Sequence, residues 1–415
     1  MKYSKYFIRR VLNHLQRYTG IDMAYAAGGS FWLVGEKIIT TITTIVVLTA
    51  FANLVPQETY GDYQFVIAVA GTLALFSLPG ISTALVRGVA RGKEGSLGLA
   101  FRTRFYWSFI GAAGMAGVGV WYLVSGESML AGAFFVAGLF FSLYTVTPIY
   151  LEFWEGKGRF DVRAFYQVLC DAGISGAIII TLLVSDRLEF IVLAFFAGVA
   201  LFHGASYLRT RATVHNSEPD PDLVPFGKNL TVMRAVETVA RHIDKIIVWQ
   251  FLGAVPLAVY AFAIKPIERV KTFVPIQSLA LPRLSEHGVH GSGRKRSVFR
   301  KFMWLFALTI PFAIALALLA PYVYRIIFPA YTDSVRYFQM LAVLIATMPL
   351  SVLVVSLIAE MKTRYLYIMR IIEPTVKIGL FVALVPFYGI WGIVIAMLVA
   401  EGVRAGLGVF LFWKM

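Results

Sequence analysis

The chain has 415 residues, 59% hydrophobic and 15% charged, with a mean hydropathy of +0.74, whereas soluble domains carry about 45–50% apolar and about 25% charged residues. That excess excludes a soluble enzyme, a disordered scaffold and a nucleic-acid-binding domain, although the net charge of +15 and pI near 9.8 would otherwise suggest the last. At the roughly 20 apolar residues needed to cross hydrocarbon, the length holds about twelve transmembrane helices and no large extramembrane domain. The expected fold is therefore an all-α integral membrane protein.

In chain order, basic residues 1–20 lack the apolar core and small-residue cleavage site of a signal peptide, so this segment is expected to be retained. Phe7, Val11, Leu12, Leu15 and Tyr18 share one helical face, with Arg9, Arg10 and Arg17 mostly elsewhere, so residues 1–28 read as a basic amphipathic arm in the membrane interface. The apolar runs predict spans at 30–54, 60–86, 105–124, 129–153, 162–184 and 188–208, then at 229–252, 256–282, 299–328, 335–359, 365–387 and 389–413. A polar break rich in Pro, Asp and Glu at 213–225 separates them. The expected organisation is an N-lobe over 29–208 (helices 1–6), a cytoplasmic linker over 209–228 and a C-lobe over 229–415 (helices 7–12). Cys170, the single cysteine, lies in an apolar segment and reads as a structural thiol.

Basic residues set the orientation. Of the 38 Lys and Arg, 25 fall in the N-terminal arm, at the C-terminus and in the connectors after even-numbered spans, against three (Arg187, Arg325, Arg336) on the other side. Since basic loops stay cytoplasmic, both termini are expected on that side of a cytoplasmic (inner) membrane. Two six-helix halves starting on the same side would be parallel repeats around a central cavity. A weak internal repeat agrees: Arg87 follows Tyr63 by 24 residues, and Arg283 follows Tyr260 by 23.

Several short motifs carry a family resemblance over about Gly29 to the C-terminus. Gly61-Asp62-Tyr63, Pro79-Gly80-Ile81-Ser82 and Arg87-Gly88-Val89-Ala90-Arg91 resemble the first two helices of the polysaccharide (oligosaccharide, O-antigen type) flippases, in the superfamily that also holds multidrug-extrusion antiporters and lipid II flippases. His242-Ile243-Asp244-Lys245, Leu252-Gly253, Tyr260 and Leu281-Pro282-Arg283-Leu284-Ser285 resemble helices seven and eight, and Ile326-Ile327-Phe328-Pro329-Ala330-Tyr331 resembles helix nine. Ala258 departs from the usual glycine two residues before the second tyrosine, and the N-terminal arm is longer than usual. The resemblance implies a flippase that moves a polyprenyl-pyrophosphate-linked oligosaccharide to the outer leaflet by alternating access. It implies no cofactor, with H⁺ or Na⁺ as the coupling ion, and as partners the lipid-linked oligosaccharide, membrane lipids and glycan-assembly proteins, with no nucleic acid.

Ionisable residues at mid-bilayer cost at least about 2.5–3.5 kcal/mol and normally face a cavity or one another. The second-half spans hold nine bases and five acids, an excess of four positive charges. Within span seven, at about 100° per residue, Arg234, Arg241 and Lys245 fall on one stripe flanked by Glu237; Arg370, Glu373 and Lys377 repeat the spacing in span eleven. The expected cationic site comprises Arg234, Arg241, Lys245, Lys265, Arg269, Arg370, Lys377 and Arg404, with Arg241 and Arg234 first in line for phosphate, which suits the planar guanidinium fork. Glu36, Lys37, Asp171, Glu237, Asp244 and Glu373 are the ion-coupling or pairing candidates, Asp171 foremost for coupling. Pairing inside the lobe (Arg234–Glu237, Glu268 with Lys265 or Arg269, Arg370–Glu373, Glu401–Arg404) is the alternative. His203 and His242 read as hydrogen-bonded structure or proton relays. Pro266, Pro275, Pro282, Pro311 and Pro321 are expected hinges. No metalloprotease, Walker A or nucleophile-elbow pattern occurs. The competing functions are a multidrug or metabolite antiporter of the same superfamily, a glycan polymerase or ligase, and a non-transporting scaffold.

Overall fold

A computed structural model describes residues 23–273, 292–359 and 363–414. Residues 1–22 of the predicted arm, Pro275, Pro282 and Arg283 lie outside them. Each of the twelve predicted spans meets a helical stretch of the described chain, span eight only as far as Phe273. In the first half these are α1 Met23–Leu54, α2 Gln57–Leu73, α3 Gly80–Ala90, α4 Ser96–Val124, α5 Ser128–Val146, α6 Tyr150–Gly156, α7 Phe160–Val184 and α8 Leu188–Ala212. In the second half they are α9 Leu223–Met233, α10 Ala235–Ala240, α11 Ile243–Leu252, α12 Ala254–Phe273, α13 Ser292–Ile327, α14 Ser334–Leu341, α15 Val343–Ala346, α16 Leu350–Ala359, α17 Thr363–Tyr388 and α18 Ile390–Lys414. Nine stretches of the described chain are long and apolar enough to cross a membrane, and the pair α2/α3, bent by 52°, makes a tenth. Span seven is cut into the short helices α9, α10 and α11, and span eight, α12, carries Lys265, Glu268, Arg269 and Lys271. The two spans least able to sit in lipid thus carry most of the intramembrane charges.

The bundle is apolar outside, as the bilayer demands. Val124, Val184, Ile326, Leu139 and Phe387 are each more than three-quarters exposed, whereas Glu36, Asp62, Arg104, Asp244 and Lys245 are buried. α4 packs on α5, α1 on α7, α5 on α8 and α17 on α18 within the halves. Across the halves, α2 packs on α12 and α11, and α3 on α9.

Both cross-half contacts rest on glycine. A Cβ on Gly61 would lie 2.0 Å from the Ala254 carbonyl oxygen, and one on Gly80 would lie 2.3 Å from the Gly227 oxygen. At the Gly61 end, the Trp249 indole donates to Asp62 Oδ1 at 2.7 Å and stacks on Phe65 at 4.1 Å. There too Phe262 stacks on Tyr331 at 3.6 Å and meets Tyr60 at 4.8 Å. At the other end, the Gly80 amide donates to Thr231 Oγ1 at 2.9 Å.

The breaks differ from the expected proline hinges. α12 runs through Pro266 and α13 through Pro311 and Pro321 without interruption. Span two instead breaks at Leu78, a non-glycine residue at φ 56°, just before Pro79. A left-handed β-carbon-bearing residue costs about 1–3 kcal/mol and persists only where its surroundings enforce it. Here Arg104 enforces it: its Nε donates to Ser77 O at 3.1 Å, and its Nη2 donates to Thr145 O at 2.7 Å. Arg104 counts as a connector cation in the sequence, yet it is 7% exposed, because α4 begins a good two turns before the predicted span.

Between Ala212 and Leu223 the chain is non-helical and lies along the connector between α3 and α4. The His215 amide donates to Glu94 Oε2, Asp220 N to Ser96 Oγ, and Lys93 pairs with Glu218. Lys157, from the connector after α6, pairs with Glu94 at 2.8 Å. Partial burial pushes the Glu94 carboxyl up, but the bonds from Lys157 and the His215 amide outweigh it and hold it below the usual range. Three basic connectors therefore meet at one end of the bundle.

Candidate binding cavities

The charged residues separate into two cavities and two sets that line neither. The first cavity, about 400 Å³, lies between the halves. Lys265 and Arg269 of α12 form its cationic side; Asp171 and Gln167 of α7 and His203 of α8 face them. A position four residues apart on α12 puts both cations on one face. Lys265 Nζ sits 5.4 Å over the Tyr60 ring, and among the described residues neither cation has an ion-pair partner. Asp171 Oδ1 accepts from Gln167 Nε2 at 2.9 Å. His203 Nδ1 lies 3.1 Å from the Tyr150 hydroxyl, which in turn lies 3.3 Å from Cys170 Sγ.

The second cavity, about 240 Å³, is inside the C-terminal half and is lined by Glu268, Lys271, Glu373, Lys377, Glu401 and Arg404. Its three bases face three acids, and Arg404 pairs with Glu401 as the pairing alternative anticipates. Lys377 also donates to Ala240 O at 3.3 Å, satisfying a carbonyl freed where span seven breaks. A balanced set of this kind holds helices together and leaves no net charge for an anion.

Span seven does not present the continuous stripe expected of it. The helix stops at Arg234 and again at Arg241–His242, so the wheel that aligned Arg234, Arg241 and Lys245 does not apply across these breaks. Arg234, half-buried, sits at the first break and lines neither cavity. Arg241 is exposed and pairs with Glu237 at 3.3 Å, where the sequence suggested Arg234 as the partner. Lys245 and Asp244 are buried, with Asp244 Oδ2 accepting from the Tyr260 hydroxyl at 2.6 Å. The His242 ring packs over Gly71 of α2, leaving no room for a Cβ there. The Arg370 side chain lies outside the described residues.

In the N-terminal half, Glu36 is fully engaged, accepting from Arg163 at 2.6 Å and Lys37 at 3.1 Å. Arg163, read as a connector cation, thus ties α7 to α1. Replacing Glu36 by Gln keeps an acceptor but removes the charge; at about 1.5–3 kcal/mol for a charge-assisted bond, the purified variant should melt several degrees below wild type in a thermal scan. The residues missed by sequence are the neutral ones of the first cavity: Thr40, Thr43 and Thr44 of α1, Tyr63, and Tyr144. Threonine at i, i+3 and i+4 in an apolar span was the available signal.

No curated protein matches this sequence. Among solved structures, the lipid II flippase MurJ in an inward closed conformation superposes with a TM-score of 0.70 at 14% identity, covering 92% of this chain and 86% of that one. A multidrug resistance MATE family transporter of the MOP superfamily, inward-facing, gives a TM-score of 0.66 at 15% identity over 90% of this chain and 94% of that one. A MOP superfamily transporter from Pyrococcus furiosus, described as having a binding pocket of reverse polarity that suggests a different function, gives 0.60 at 17% identity over 92% and 95%. These likenesses establish the fold, an all-α membrane bundle. The sequence pattern of polysaccharide biosynthesis proteins matches residues 26–287, well over half of the chain. The chain belongs to the polysaccharide biosynthesis protein family.

Proposed function

We propose that the protein is a flippase that carries a polyprenyl-pyrophosphate-linked oligosaccharide from the cytoplasmic to the outer leaflet by alternating access, driven by H⁺ or Na⁺. The observation that carries this reading is the pair Lys265 and Arg269, two cations on one face of α12 that outnumber the single carboxylate, Asp171, on the opposite wall of a cavity between the halves. Keeping such charges in the membrane is costly unless a ligand compensates them, and a pyrophosphate does so with charge-assisted bonds. The polyprenyl chain would stay in lipid, against the apolar exterior. Lys377, Arg404, Lys245, Arg234 and Arg241 come second, because each is paired, buried or away from this cavity. The basic connectors support cytoplasmic termini.

A multidrug or metabolite antiporter is the second reading, favoured by the Asp171 carboxylate in the same cavity. Reconstituted vesicles decide between them. Wild type should translocate a fluorescent short-chain lipid-pyrophosphate saccharide, and Lys265→Ala or Arg269→Ala should each slow it by on the order of tenfold, the worth of a lost charge-assisted bond. Unchanged rates in both variants, or transport of cationic dyes alone, would overturn the flippase reading.

A further inference from the structure

The wall opposite Lys265 and Arg269 has a chemistry of its own. It carries one carboxylate, Asp171, with a single hydrogen bond, to Gln167, among the described residues. Beside it three hydroxyls of α1 face the same space: Thr43 donates to Ile39 O, Thr44 to Thr40 O and Thr40 to Lys37 O. Each hydroxyl has spent its proton on its own helix, so what it offers the cavity is oxygen lone pairs. The α1 side of the wall is therefore a set of acceptors. It also has an aromatic side: Tyr63 stacks on Phe51 at 5.1 Å and meets Phe195 edge-on at 6.1 Å, with Tyr144 next to Phe195.

A ligand that fits must present several hydroxyl donors at its rim and a weakly polar face to an aromatic ring, which describes a pyranose. It must also be small, since about 400 Å³ is near the lower end of the roughly 300–1,000 Å³ of small-molecule sites. A carboxylate among acceptors selects further. Beside Asp171 and the threonine lone pairs an anionic substituent on the ring would be repelled, whereas a hydroxyl would donate to them.

We infer that the α1–α7 wall of the inter-half cavity is a subsite for the sugar attached directly to the pyrophosphate, and that Asp171 selects a sugar without an acidic group there. This rests on the reading of Lys265 and Arg269 as the pyrophosphate site. The occupant spans the cavity: phosphate oxygens on α12, ring hydroxyls on Asp171 and the α1 threonines, ring face toward Tyr63. The remainder of an oligosaccharide extends beyond the cavity, so this subsite reads only the first residue.

Binding of three farnesyl pyrophosphate probes to the full-length protein in nanodiscs tests this: one without sugar, one bearing glucose and one bearing glucuronic acid, which differ at the ring only by the carboxylate. Wild type should bind the glucosyl probe at least about tenfold more tightly than the sugar-free one, and the glucuronosyl probe at least about tenfold more weakly than the glucosyl one, as like-charge contacts enforce. Asp171→Asn, nearly isosteric, should erase most of the glucose-over-glucuronate preference, read as the ratio of the two affinities in the variant. Equal affinity for the sugar-free and glucosyl probes, or an unaltered preference in Asp171→Asn, overturns the subsite while the pyrophosphate site stands. Failure of all three probes to bind overturns the pyrophosphate reading, and the subsite with it.

Discussion

Gly61→Ala should force the two halves apart at the end of the bundle where α1 gives way to α2. The added methyl would sit 2.0 Å from the Ala254 carbonyl oxygen and 2.5 Å from its carbon, both backbone atoms that cannot rotate aside as a side chain would. Relief requires α2 and α12 to separate, which also stretches the Trp249–Asp62 bond and the Phe65–Trp249 stack formed at the same contact. Overpacking of this kind costs about 1–3 kcal/mol, and a bias of that size changes the ratio of two conformations by about 5- to 150-fold. The strain falls only on the state in which this end is shut, so the other state gains population. Spin labels at Glu58→Cys and Val255→Cys, both exposed and on opposite sides of the contact, should report a longer and broader distance in Gly61→Ala than in the parent. An unchanged distribution would mean that the contact is not what holds this end closed. Gly80, 2.3 Å from the Gly227 oxygen, makes the corresponding contact at the other end, and Gly80→Ala should leave the Glu58/Val255 distance short.

The sequence made the helical architecture legible because a bilayer imposes a long apolar run on each crossing, and that signal survives small errors at the ends. All twelve spans have helical counterparts, including the two whose charges and breaks make them poor lipid-facing helices. What did not transfer was the geometry inside span seven. A helical wheel assumes one unbroken axis, and hydropathy does not register that the axis is interrupted at Arg234 and Arg241. The stripe of three bases became an exposed pair, a helix-end residue and a buried lysine. The proline signal was misplaced: Pro266, Pro311 and Pro321 are absorbed inside continuous helices, while the break in span two falls at Leu78, before the turn dipeptide Pro79-Gly80, which was not among the expected hinges. Lys265 and Arg269, four residues apart on the intact α12, share one face and line one cavity.

The charge count misassigned Arg104, and the second large effect follows from its true position. A guanidinium 7% exposed makes four hydrogen bonds, to Ser77 O, Ser77 Oγ, Ser82 Oγ and Thr145 O. Two of these acceptors are carbonyls at places where the helical ladder fails: Ser77 ends the short 3-10 turn before Leu78, and Thr145 lies at the last turn of α5, before Pro148. No water from the bilayer can replace the lost donor. Arg104→Met keeps the length and apolar stem of the side chain, so it tests the bonds and the charge beside buried Glu152 rather than the packing. Leaving both carbonyls unpaired should cost about 2–6 kcal/mol, at roughly 1–3 kcal/mol for each buried orphan. At about 2–4 °C per kcal/mol for a large domain, the purified protein should melt on the order of 10 °C lower. Arg104→Lys should fall between, because a single ammonium supplies three donors from one point and cannot span from the turn at Ser77 to the end of α5. A Met variant that melts with wild type would show that Leu78 holds its left-handed turn without Arg104, and the arginine would return to the group of residues that only set topology.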